Sequence, residues 1–427
     1  MSIKNRLRLL GTIGVFFIFS NAFSQTSAST YSALGLGEFS YGGLTHNQAM
    51  GGLGVSYGTG YAINNVNPAL STRNTAFNFQ AALNYRSIEA SSSTENESLS
   101  SGGLSYLAMS LPFKPNKFTM GMGINQLSSV NYNIIVNSDV TNSNLNAINQ
   151  IRGDGGITEG YISAGYVLAK NLSIGLHGSY LFGSTIRTNQ LTLRDTASAV
   201  VGATSEYYER LTVSDVSFKA GAHYFFRSGK QSNIHFGAFY HSFGDIKGKQ
   251  FAKVADLGEA SDPDSPGDII SNNDPGTIFL PNRMGYGVSF EKINKFVVGL
   301  EAQYQDFSQY RNFSGEFGEL GESFKIGLGA QFTPDVFSMD NIFKRGTYRA
   351  GVEYIQTPYV VNQSQITDIG INFGGSIPVN SLSLVNVALK VGTRGSTGDG
   401  LIRENYFNVS FGFSLNDNTW FYKRTFE

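Results

Sequence analysis

His177 and Ser179 come nearest, in residue type and spacing, to a nucleophile with its base. Two positions apart in an alternating segment, they share one face of a strand. A hydrolase needs the His to activate the Ser and a third group to orient the His. The sequence offers no evident third partner, and the alternation turns the pair into an interior, away from lipid. The five histidines, His46, His177, His223, His235 and His241, show no metal-ligand spacing. Asp256, Glu259, Asp262, Asp264, Asp268 and Asp274 could offer carboxylates to Ca²⁺, but the run lacks the EF-hand pattern and reads as a solvated loop. Met50-Gly51-Gly52-Leu53-Gly54-Val55 is glycine-rich but is no dinucleotide fingerprint, because no strand–helix pair flanks it. These residues point to no enzyme, no metal and no cofactor.

The composition explains why chemistry is scarce. Only 15% of the 427 residues are charged, whereas 50 are Gly, 33 Phe and 22 Tyr, with one Trp and no Cys. Soluble domains carry about 25% charge. The mean hydropathy of −0.13 and the lack of long apolar runs after the N-terminus argue against a helical membrane protein. A net charge of −1 leaves no footprint for nucleic acid. Without cysteine there is no disulfide, thiolate metal site or lipoprotein anchor.

Lys4, Arg6 and Arg8, the apolar stretch Leu9 to Phe19 and the small residues before Gln25 form a signal-peptide pattern over 1–24. Cleavage near Ser24/Gln25 is expected to send the chain to the outer membrane of a Gram-negative cell. Most of the remaining chain alternates with period two. Phe407, Val409, Phe411, Phe413 and Leu415 alternate with Asn408, Ser410, Gly412 and Ser414, and Leu172, Ile174, Leu176, Tyr180 and Phe182 with Ser173, Gly175, His177 and Ser179. One face is apolar and aromatic; the other is small and mostly uncharged. A soluble sandwich would show water Lys, Glu and Thr. Lipid outside and a crowded lumen inside fit better, and among sheets only closure pairs every backbone group in lipid.

The fold class is therefore all-β, a transmembrane antiparallel β-barrel of about fourteen strands over 74–427. Strands are expected near 74–88, 99–113, 117–135, 157–168, 171–193, 206–226, 232–247, 277–291, 295–311, 321–332, 346–356, 367–377, 383–394 and 404–415. Connections after even-numbered strands are mostly tight, with a longer one over 333–345. Those after odd-numbered strands, such as 136–156 and 248–276, are longer and polar. This asymmetry puts both termini on the periplasmic side.

Residues 25–73 do not alternate, yet hold Met, Tyr, Leu and Val, and read as a hatch folded into a lumen too wide for wall side chains to fill. The run from Met50 to Leu70, with Gly51, Gly52, Gly54 and Asn67-Pro68-Ala69, resembles the N-terminal motif of FadL-type outer-membrane transport proteins. That resemblance implies a 14-stranded barrel with an N-terminal hatch that imports fatty acids and other hydrophobic compounds. Leu401 to Phe407 and Trp420 to Arg424 resemble the Bacteroidota branch, which also contains barrels serving type 9 protein secretion as shuttle or plug. Two features depart from the pattern: Leu70 stands where the family usually has Gly, and the residues reveal no kink in the third strand, the family's sideways exit.

The expected partners are outer-membrane lipid and a hydrophobic small molecule, with a secretion translocon or other outer-membrane protein as the alternative. Phe251, Ile269, Ile270, Ile278 and Phe279, near the outer rim, are candidates for an apolar ligand pocket. Alternation points Lys219, His223, Glu301, Lys325, Arg349, Glu353 and Lys390 into the lumen. They read as paired charges bracing wall and hatch, or as cations for a ligand carboxylate.

Overall fold

The computed structural model describes residues 29–417 except 42, 94, 142, 196–203, 317, 381–382 and 399. The expected signal peptide and the Trp420 to Arg424 motif lie outside the described residues. The strands are β1 (Phe77–Ser91), β2 (Asn96–Lys114), β3 (Phe118–Asp139), β4 (Leu145–Ala169), β5 (Leu172–Asp195) and β6 (Ser205–Gly229). Then come β7 (Ser232–Ser242, continuing as Gly244–Asp256), β8 (Asp268–Leu280, continuing as Arg283–Lys292), β9 (Phe296–Asp306) and β10 (Glu322–Phe332). The wall ends with β11 (Thr347–Val361), β12 (Ser364–Pro378), β13 (Ser383–Arg394) and β14 (Arg403–Asp417). Each pairs antiparallel with its neighbours, and β14 pairs with β1 from Arg403↔Ser91 to Asp417↔Phe77, closing a 14-strand barrel.

The alternation sets the faces. On β14, Phe411 is 52% exposed and Ser410 only 4%. Outward Phe and Tyr meet lipid, and inward Ser, Asn and Gly line the lumen. Tight turns at one end use Asn116, Asn171 and Asn294 at φ 58°, 68° and 59°. Asn tolerates this left-handed conformation better than most residues. The exception is the 333–345 connection, which holds a short helix, α2 (Ile342–Arg345).

At the other end the expected long loops are mostly extensions of strands. β4 begins at Leu145 rather than near 157, so much of 136–156 is ladder. Likewise 248–276 is largely the outer halves of β7 and β8, and 357–366 narrows to a turn at Asn362-Gln363, both at positive φ. Each outer half is set off by a break. Pro281 has no N–H to donate, and Asn282 instead accepts from the Phe243 amide at 3.0 Å.

Residues 29–73 fold against the inward faces of the wall, with a helix α1 (Thr45–Gln48) and 3₁₀ turns at Thr30–Ala33 and Pro68–Arg73. The approach is close enough to require glycine in the wall. A Cβ on Gly237 would sit 1.9 Å from the Val55 carbonyl oxygen, and one on Gly329 2.2 Å from that of Met50. The described chain starts not at the short-turn end but near the long-hairpin end, where Ser29 contacts Glu404 at the start of β14.

The outward placement of the odd positions of β13 yields a direct test. Val387 pairs with Phe411 and alternates with buried Ala388. Val387→Arg is expected to cost about 2–4 kcal/mol at mid-membrane, read as a lower urea midpoint for refolding into bilayers, while Ala388→Ser leaves the midpoint nearly unchanged.

Candidate functional site

The lumen is organised around the packed N-terminal segment. Asn67 accepts from the Ala69 amide at 3.0 Å, capping the Pro68–Arg73 turn, with Pro68 at its first position. Its Nδ2 donates to the Val55 and Ala222 carbonyls at 2.7 and 3.0 Å, joining two parts of the segment to β6. Ala69 is fully buried. Gly51 and Gly52 take φ 66° and 78°, and Gly54 packs where a Cβ would meet Val66 and Asn47.

Glu301 makes the densest contact between wall and segment. Its carboxylate accepts the Gly54, Val55 and Ser56 amides and the Ser56 hydroxyl, each at 2.8 Å. Successive N–H groups converging on one acid form an anion nest. Glu38 makes a second latch, pairing with Arg86 of β1 at 2.6 Å and Arg394 of β13 at 2.5 Å. Burial pushes the Glu38 carboxyl up, but Arg394 and Arg86 outweigh it and hold it well below its ordinary value of 4.5. Ser29 and Thr30 add hydrogen bonds to Glu404 at 2.8–2.9 Å.

The other inward charges fall in separate groups. Lys325 and Lys390 flank Glu353 at 2.7 and 2.5 Å. His223 contacts His235, which contacts Glu291, each at 3.1 Å. Arg349 donates to Gln331 and Ser376, and Lys219 to the Asn65 carbonyl at 3.0 Å. A third partner for His177 and Ser179 does exist, contrary to the sequence reading. Glu159, on the neighbouring strand, accepts from both. The Ser179 hydroxyl is thus spent on the carboxylate, not on the His, and no activated nucleophile results. In the acidic loop the Lys253 ammonium binds the Asp262 and Ser265 carbonyls, and no metal-holding group occurs among the described residues.

The five proposed pocket residues do not converge. Phe251 is buried against Tyr208 and Ala260, and Ile278 belongs to another cluster. Ile270 is 63% exposed, with Ile269 exposed beside it, and Phe279 lies under the Arg311 guanidinium. The cluster around Ile278 is the main apolar interior of the outer lumen, joining Leu36 and Phe39 to Leu127, Leu181, Val213, Phe243 and Leu280. The sequence reading missed these partners. Their signal was local: Tyr180-Leu181-Phe182 is apolar on both faces. Below this cluster, between wall and segment, lies a cavity of about 270 Å³.

The third strand does carry an irregularity. At Leu127 its register with β4 shifts, and its ladder with β2 stops at Tyr106↔Asn125. Beyond that point β2 pairs only with β1, and β3 pairs with β4. The edge of β3 left open is met from inside: Glu38 and Phe39 pair with Ser129 and Ser128, the Ser40 amide donates to Leu127, and the Ser29 amide to Asn131.

The closed fourteen-strand antiparallel barrel puts the chain in the class of β-barrel proteins with a FadL-like fold. The solved structures bear out the fold. The chain resembles the Pseudomonas putida toluene transporter TodX at 15% identity and TM-score 0.53, covering 89% of this chain and 99% of that one. For the Ralstonia pickettii toluene transporter TbuX the figures are 13%, 0.53, 88% and 99%. For a Pseudomonas aeruginosa FadL homologue they are 12%, 0.57, 89% and 99%. No curated protein sequence matches the chain. The BamG family model matches residues 6–427, and the chain belongs to the BamG family.

Two tests follow from the latches. Glu301→Ala strands buried amides, at a cost of about 3 kcal/mol. It is expected to expose residues 45–60 to protease in detergent while the heat-modifiable gel mobility of the barrel persists. A lowered Glu38 pKa means its latch is fully present above its ordinary value and is lost as pH falls through the lowered one. Protection of residues 29–40 should therefore be equal at pH 7 and about pH 5 in the wild type, and reduced at both in Glu38→Gln.

Proposed function

We propose that the chain carries hydrophobic compounds, long-chain fatty acids among them, across the outer membrane, with residues 25–73 acting as a hatch. The observation that carries this reading is the seam between β2 and β3. Backbone left unpaired at membrane depth is costly, so such a seam needs a reason. Here it is closed by residues 29–40 of the N-terminal segment, and not by the neighbouring wall strand. The likeness of fold to toluene transporters supports the same reading. An apolar compound would enter at the long hairpins, partition into the apolar interior around Leu181 and Phe243, and leave sideways when the segment shifts. Each buried CH₂ contributes about 0.8 kcal/mol, so binding needs few specific bonds.

A second reading, a barrel subunit of a type 9 secretion or surface-assembly complex of the Bacteroidota, draws on a different observation. The long turn at the opposite end exposes Phe337 by 78% and Met339 by 91%, with Phe343 beside them. Exposed apolar residues so close together are a common mark of a protein contact. Stoichiometric co-purification with a large outer-membrane partner, lost in a Phe337→Ser/Met339→Ser variant, would favour this reading.

The seam can be locked because the chain has no cysteine of its own. Phe39 and Ser128 are paired, and paired Cα atoms lie about 4.5–5.5 Å apart, within disulfide reach. In a deletion strain complemented with Phe39→Cys/Ser128→Cys, oxidation is expected to abolish uptake of labelled fatty acid and reduction to restore it. Undiminished uptake through the oxidised protein would overturn the sideways route. Uptake unchanged in the deletion strain itself would overturn import.

A further inference from the structure

The two rims of the barrel differ in charge. Round the short-turn end, the turns β2–β3, β4–β5, β6–β7 and β8–β9 hold Lys114, Lys117, Lys170, Lys230, Lys292 and Lys295, and no Asp or Glu. All six lysines are exposed. None has a carboxylate within ion-pair range among the described residues. At the opposite end, the run from Asp256 to Asp274 alone holds six acids and no Lys or Arg. Charges of one sign crowded on a rim repel one another unless an anionic surface meets them.

Each of these turns also adjoins apolar side chains of the lipid face. Lys114 pairs in register with Phe118, whose ring stacks on that of Phe113 at 5.9 Å between centroids. Phe290 and Phe296, beside Lys292 and Lys295, have ring centroids 5.8 Å apart. Leu168 is exposed next to the turn of Lys170, and Phe226 next to that of Lys230. Lys295 shows the level at which the charge is held. Its ammonium donates to the Pro334 carbonyl at 2.8 Å and lies 5.2 Å from the centre of the exposed Phe332 ring. An ammonium has three donors, so two remain for another acceptor. A cation beside a lipid-facing ring sits at the depth of the lipid phosphates, just beyond the acyl chains.

A soluble acidic partner would be met by a single patch. These lysines instead follow four consecutive hairpins round the wall, each continuous with the lipid face. We infer that they form a collar that binds anionic phospholipids of the periplasmic leaflet, with the lipid phosphates on the ammonium groups and the acyl chains against the neighbouring Phe and Leu side chains. The inference goes beyond import and holds under either reading of function.

The test measures lipid selectivity of the full-length protein in phosphatidylcholine bilayers, by electron spin resonance of chain-labelled phosphatidylglycerol and phosphatidylcholine. Phosphatidylglycerol is expected to associate about threefold more strongly in dilute buffer. The preference should shrink in about 1 M NaCl, where charges are screened within about 3 Å. Replacing all six lysines by Gln should bring the ratio close to one, and replacing them by Arg should keep it. If the sixfold Gln variant gives no heat-modifiable barrel, Lys114→Gln/Lys117→Gln/Lys170→Gln and Lys230→Gln/Lys292→Gln/Lys295→Gln take its place, each losing part of the preference. Lys247→Gln/Lys249→Gln, exposed lysines on the outer half of β7, should leave it unchanged. Equal association of the two lipids with the wild type would overturn the collar. So would a preference that survives the Gln changes at the short turns, or one that falls as far in the β7 pair. Equal association, together with an acidic protein that co-purifies with the wild type and not with the Gln variant, would give the rim to that protein instead.

Discussion

A sheet in lipid must pair its own backbone, and this constraint governs the rest of the molecule. Closure of β14 onto β1 meets it around the circumference. The β2–β3 ladder meets it only up to Tyr106 and Asn125. Above that level the free edge of β3 takes its partners from residues 29–40. The N-terminal segment is therefore part of the wall as well as the contents of the lumen. Its latches, Glu38 on Arg86 and Arg394 and Glu301 on the amides of residues 54–56, hold it in both roles.

The lumen is graded along its axis. At the short-turn end, glycines in the wall allow the segment's backbone to pack against strands. In the middle, ion pairs and hydrogen bonds fix the segment while leaving a charged cavity. At the long-hairpin end, the interior becomes apolar. Burial of charge in a narrow lumen is tolerated because nearly every carboxylate meets a cation or a set of N–H donors. Lys219 and Arg283, on nearby strands, and Arg349, on β11, are buried cations without a carboxylate in ion-pair range among the described residues.

Much of this was legible in the sequence. Period-two alternation located the strands, and Asn at the turn positions marked the short end. The composition of the inward face separated a lumen from a solvated surface. Six of the seven inward charges read from strand parity are buried in the structure and Lys390 is partly so, and Asn67-Pro68-Ala69 packs against the wall. What escaped the sequence has definite causes. The outer halves of β4, β7 and β8 looked like loops because above the membrane neither face needs to be apolar. Ile246 and Leu280 changed faces unseen, since the breaks at Phe243 and Pro281-Asn282 shift the parity. Glu159 could not be matched to His177, because the pairing of β4 with β5 depends on a register that alternation alone does not give.

The contact of Ser29 with Glu404 joins groups 375 residues apart. Thirteen of the fourteen wall strands lie between them in the chain. The segment emerges first, yet one of its anchors belongs to the last strand made. That anchor is complete only once the last strand is in place. Loop closure over such a span comes late and slowly. The strand that closes the wall thus also anchors the contents of the lumen, and a chain cut short before β14 loses both.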